Sequence, residues 1–111
     1  MKKTSLELLP WCEVSHNPAI KKQMMVGFDE LLPVTQFSRA IFPPGESAPG
    51  HLHENMAEVF YVEKGCAVMN VDGRAHNLMP GDSMVIHPGE THELSNAGTE
   101  EMVVIYFGVN L

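Results

Sequence analysis

Apolar residues along this chain come in short runs of Val, Ile, Phe and Met, and a turn signal interrupts them roughly every eight to twelve residues. With no sustained period near 3.6, that pattern predicts an all-β sandwich or barrel. The clearest unit is Cys66–Val71, Asp72-Gly73, Arg74–Leu78, because Asp-Gly readily takes the positive φ angles of a type I′ hairpin turn. Further breaks fall at Pro43-Pro44-Gly45, Pro49-Gly50, Lys64-Gly65, Met79-Pro80-Gly81-Asp82, His87-Pro88-Gly89 and Asn96-Ala97-Gly98. They bound predicted strands at Lys22–Val26, Gln36–Phe42, His51–Leu52, Glu58–Val62, Cys66–Val71, Arg74–Leu78, Ser83–His87, Thr91–Ser95 and Met102–Val109. Leu6–Trp11 and Phe28–Leu32 read equally well as short strands or helical turns, and Pro10, Pro18 and Pro33 break any longer element there.

Length and charge narrow the setting. The 111 residues suffice for one core and not two, so a single domain spanning 1–111 is expected. An apolar share of 44% and a charged share of 19% are those of a folded chain rather than a disordered one. The net charge of −7, with Lys2/Lys3 and Lys21/Lys22 as isolated pairs, leaves no basic face for nucleic acid or an anionic membrane. Glu7 and Pro10 interrupt the stretch after Met1-Lys2-Lys3 before it reaches signal-peptide length, and no run approaches a membrane span. Two cysteines, Cys12 and Cys66, make no disulfide framework, and a cytoplasmic location is expected.

The chemistry concentrates in two segments. In an extended chain His51 and His53, two residues apart, aim their rings into one space. A short corner at Glu54–Met56 then lets Glu58 return a carboxylate to the same side from the neighbouring strand, and His92 supplies a third imidazole from across the sheet. Three neutral nitrogens and one carboxylate oxygen suit a first-row divalent ion, whereas calcium would want more oxygens. Four protein ligands on an octahedral ion would leave two positions for a small molecule.

These segments resemble the two motifs of the cupin superfamily. Gly45, His51, His53, Glu58 and Gly65 match every position of the first, and Gly81, Gly89, His92 and Asn96 fall in register with the second. One position departs, since His87 stands where the pattern has proline. The resemblance covers about residues 36 to 108 and implies a double-stranded β-helix, or jelly-roll, barrel with a core over about 36–109 and an N-terminal extension over about 1–35. It implies one divalent transition metal (Fe, Mn, Ni, Zn, Co or Cu) held by His51, His53, Glu58 and His92, and supports a homodimer. The reading that follows is a metal-dependent enzyme of dioxygenase type acting on a small organic molecule. The alternatives are a non-catalytic binding or sensing module and a non-redox lyase or isomerase.

Other residues are expected to be bland. His76 and His87 lack partners at ligand spacing, His16 sits in a loop, Cys66 is expected to be a small buried residue, and Glu54, Glu90 and Glu93 are expected around the barrel mouth. Met56, Met69, Met79, Met84 and Met102 read as core filling, or else as the lining of an apolar cavity beside the ion.

Overall fold

The computed structural model describes residues 1–111. It contains ten strands and no helix: β1 (Cys12–Val14), β2 (Asn17–Val26), β3 (Val34–Phe42), β4 (Ser47–His51), β5 (Met56–Lys64), β6 (Ala67–Val71), β7 (Arg74–Leu78), β8 (Ser83–Ile86), β9 (His92–Asn96) and β10 (Met102–Asn110). All ladders are antiparallel, in a six-stranded sheet ordered β1-β2-β3-β10-β5-β8 and a four-stranded sheet ordered β4-β9-β6-β7. This is a jelly-roll barrel, as the sequence motifs imply. The β6–β7 hairpin turns at Asp72 and Gly73, with φ of 49° and 82°, the pair of positive angles expected of Asp-Gly.

Register decides which residues face inward, since partners directly opposite one another share a face of the sheet. In the larger sheet the rows Val62–Val104–Ala40–Lys22, Phe60–Tyr106–Ser38–Met24 and Glu58–Gly108–Gln36 run across β5, β10, β3 and, for the first two, β2. In the smaller sheet Ala67, Met69 and Val71 of β6 oppose Asn96, Leu94 and His92 of β9. The two sets meet in one apolar cluster that includes Ile20, Phe42, Phe60 and Val104 on one side and Met69 and Leu94 on the other. Met69 and Met102 are fully buried, which fits core filling, whereas Met79 is exposed.

Several predicted elements shift. The strand expected at Lys22–Val26 begins at Asn17, because Pro18 precedes Lys21, the first residue paired with β3, and its missing N–H costs no ladder bond there. The strand expected at His51–Leu52 is instead Ser47–His51, which leaves Leu52 and His53 in the connection to β5. Of the two ambiguous stretches, Leu6–Trp11 contains a single helical turn, closed by Leu9 N–H on Ser5 O at 3.0 Å, and Phe28–Leu32 is a turn with one isolated bridge from Leu31 to Val34. The N-terminal segment lies on β2, where the buried Gln23 donates its amide to Leu6 O and Leu9 O. Cys66 is exposed rather than buried, since Ala67 and not its neighbour points inward.

Two motif residues hold the frame rather than the site. Gly65 has φ of 93°, and a Cβ there would stand 2.9 Å from Met102 Cα, so the β5–β6 corner closes against β10 only with glycine. Asn96 is buried, donates to Phe42 O at 2.9 Å and Glu100 O at 2.8 Å, and accepts from Gly98 N–H at 2.9 Å. Its backbone also joins Gly45 and Glu46. Asn96→Ala is expected to cost about 2–4 kcal/mol, because it strands buried backbone groups. Denaturant titration would show this as a lower midpoint at constant slope, with the exposed Asn77→Ala within about 0.5 kcal/mol of the parent.

Candidate metal centre

His51 and His92 are register partners at adjoining ends of β4 and β9. A bulge between Ala48 and His51 sets Pro49 and Gly50 against the single residue Glu93, and that one extra residue changes the parity of β4, so that both Ala48 and His51 line the interior. Glu58 faces them from β5 in the other sheet. The expected placement is thereby corrected: the second imidazole strand is the immediate neighbour, and the carboxylate crosses the barrel. The connection over residues 52–55 changes sheets, which a strand-to-strand reversal within one sheet would not do.

Three imidazoles converge on one carboxylate oxygen of the fourth side chain. From Glu58 Oε1, His92 Nε2 lies at 2.9 Å, His51 Nε2 at 3.6 Å and His53 Nε2 at 3.7 Å. Ligand atoms of His51, Glu58 and His92 all lie within 4.8 Å of one another, a group able to hold a metal ion. His53 stands slightly apart, with its ring centroid 4.7 Å from that of His51 and 6.3 Å from that of His92. Its backbone oxygen accepts from Gly89 N–H at 2.9 Å, which ties the first motif to the turn of the second.

Backbone carbonyls set the ring orientations. His51 Nδ1 lies 2.9 Å from Pro49 O, and His92 Nδ1 lies 3.3 Å from Glu90 O. A proton on each Nδ1 satisfies those carbonyls and leaves Nε2 with a lone pair aimed at Glu58. Two lone-pair atoms 2.9 Å apart repel unless a proton or cation serves both, so the donor set fits a divalent ion. The turn before His92 is closed by His87 N–H donating to Glu90 Oε1 at 2.7 Å. The departure from the motif therefore has a use, since a proline at 87 could not make this bond. The side chains of His87 and His76 are exposed, and Glu90 works as a turn brace rather than as a free charge.

Burial by itself would raise the Glu58 pKa, but the His51 and His92 imidazoles outweigh it and hold the carboxyl at about 2. In return Glu58 raises the His51 pKa, whereas burial lowers that of His53. Tyr106, stacked on Phe60 at 5.5 Å, is pushed above its ordinary value by burial and by the Glu58 charge, so its phenol stays protonated.

This cluster lies in the wall of an open cavity of about 840 Å³, which is also lined by Phe28, Gln36, Phe42, Phe60 and Tyr106. Of the methionines named above, only Met56 lines it. Sequence reasoning passed over Lys22 and Gln36, which also line it, and set aside His16, which is exposed at its rim. A signal for Lys22 was present, since it shares strand parity with Ile20, a core residue.

The chain is similar to several known proteins. The chain is 32% identical over 66 residues to an oxalate-binding protein of Thermotoga maritima, covering 60% of this chain and 54% of that one. It is 35% identical over 60 residues to gentisate 1,2 dioxygenase 1 of Aquipseudomonas alcaligenes, covering 54% of this chain and 17% of the enzyme. The chain thus spans about half or less of the length of these curated relatives. The crystal structure of a protein described as a predicted oxalate decarboxylase from Thermotoga maritima superimposes with a TM-score of 0.91 at 20% identity, covering 99% of this chain and 100% of that one, a likeness of fold. Residues 38–108 match the family model described as a cupin domain, a stretch that opens in β3, closes in β10 and encloses both histidine segments; this chain belongs to the cupin family.

Proposed function

We propose that the chain binds one divalent transition-metal ion through His51, His53, Glu58 and His92 and acts as a metal-dependent enzyme of dioxygenase type on a small organic molecule held in the adjoining cavity. The observation that carries this reading is the convergence of three imidazole Nε2 atoms on one buried carboxylate oxygen in the wall of that cavity. Bound there, an ion would supply Lewis acidity and, if iron, one-electron chemistry with dioxygen. The residues around it bind and orient. Phe60 and Tyr106 present apolar faces, and the protonated Tyr106 phenol is a neutral donor rather than a base. The similarity to gentisate 1,2 dioxygenase supports the oxygenase reading. A binding module is the second reading, favoured by a cavity with no evident nucleophile and by the oxalate-binding relative.

Purified protein should hold close to one metal per chain by elemental analysis, and His51→Ala or His92→Ala should lose most of it. The pair of substitutions with occupancy intact would overturn the four-ligand set. Protons compete with the ion for the same nitrogens. Because Glu58 raises the His51 pKa, His51 takes up its proton above the ordinary imidazole value, so affinity should begin to decline above about pH 6.5 and keep declining below it. Zinc titrations across that range would show the trend, and a flat profile would contradict it.

Oxygen uptake separates the two functional readings. The iron(II) protein should consume dioxygen when given a substrate, and the zinc protein, having no redox chemistry, should not. Turnover that is indifferent to oxygen and supported by several metals would move the assignment to a lyase or isomerase, and ligand binding with every metal but product with none would move it to the binding module.

A further inference from the structure

The cavity wall carries a second polar group. Lys22, on β2, is only 7% exposed, yet it has no carboxylate within ion-pair distance. Its one hydrogen bond is from Nζ to Gln36 Oε1 at 2.9 Å, and Nζ sits 5.5 Å from the centroid of the Phe28 ring. Ser38 Oγ donates to the same Gln36 oxygen at 2.7 Å. With Oε1 occupied twice, the amide orientation is fixed and its Nε2 donates to nothing in the chain. Both Lys22 and Gln36 line the cavity that contains His51, Glu58 and His92. A buried ammonium with no carboxylate in contact is costly; the Glu58 charge acts on it only from a distance, and its remaining donors have no partner in the chain.

Resting on the reading of the His/Glu cluster as the ion site, we infer that Lys22 and Gln36 form a carboxylate-binding subsite, so that the ligand is a small organic acid with two separated polar ends: a chelating head at the ion and a distal carboxylate on Lys22 Nζ and Gln36 Nε2. One cation and one amide match a singly charged carboxylate. A phosphate dianion would bring a second charge with no arginine or helix N-terminus to meet it. Separation of the ends follows from register. Glu58 and Gln36 lie in one cross-strand row with Gly108 between them, two strand spacings or about 10 Å apart along the sheet. A diacid as short as oxalate would be used up at the ion, whereas one with several carbons between its ends reaches both.

A matched pair of ligands tests this without any turnover. 2-Hydroxyglutarate and 2-hydroxypentanoate share a chelating head and chain length and differ in the distal carboxylate. Calorimetry on the zinc-loaded protein should show tighter binding of 2-hydroxyglutarate by roughly tenfold to a hundredfold, the range for hydrogen bonds to a charged group. Lys22→Met, which keeps the apolar stem, should abolish that preference and leave 2-hydroxypentanoate affinity unchanged. Should that variant not fold, Gln36→Glu sets a negative charge beside Lys22 and should reduce the preference in the same way. A wild-type protein that loads zinc but binds the two ligands alike, or a preference that survives both substitutions, overturns the subsite alone. Failure to load zinc at all overturns the ion site and this inference with it.

Discussion

A carboxylate buried between two sheets has to be neutralised, and much of this architecture serves that requirement. Glu58 is 7% exposed, and taking an ionised carboxylate out of water costs several kcal/mol unless a proton or cation answers it. The answer comes from the opposite sheet. His92 and His51 lie side by side on β9 and β4 because those strands are neighbours in register, and the bulge at Pro49-Gly50 brings His51 into phase. One electrostatic demand thus pins the larger sheet to the smaller at this end of the barrel, much as Asn96 joins β9 to the end of β3 at the other by neutral hydrogen bonds.

The sequence carried the site better than it carried the strand edges. The four proposed ligands were legible because their spacing reflects a period of two and two motif frames, and the three imidazoles all approach one oxygen of Glu58. The route by which they meet was not. A β-bulge changes parity without changing composition, so the strand ending at His51 was displaced, and nothing local shows that residues 52–55 carry the chain to the other sheet. The hairpin at Asp72-Gly73 was legible because that dipeptide specifies its own backbone angles. Lys22 was missed because a lysine pair reads as solvated charge, although its strand parity with Ile20 and its register with Ala40 both place it inside.

The departure from the motif at His87 shows how a pattern can change while its geometry persists. Proline at that position would limit the turn by restricting φ. Here a hydrogen bond from His87 N–H to Glu90 performs the restriction, and Glu90 then offers its own carbonyl to His92 Nδ1. A polar brace has replaced a covalent one, and the orientation of the imidazole now depends on a carboxylate two residues before it.

His53 differs from its companions in what carries it. His51, Glu58 and His92 belong to strands whose backbones are fixed by ladders on both sides or by the sheet edge they close, while His53 lies in the connection between sheets. The backbone oxygen of His53 is nonetheless held by the Gly89 amide. Three of the four side chains thus ride on ladders and one on a connection, itself held by Gly89 N–H on His53 O and Leu111 N–H on Asn55 O. Substitutions in that connection would therefore reposition one member of the cluster and substitutions in the strands the other three, so the two parts can change independently of one another.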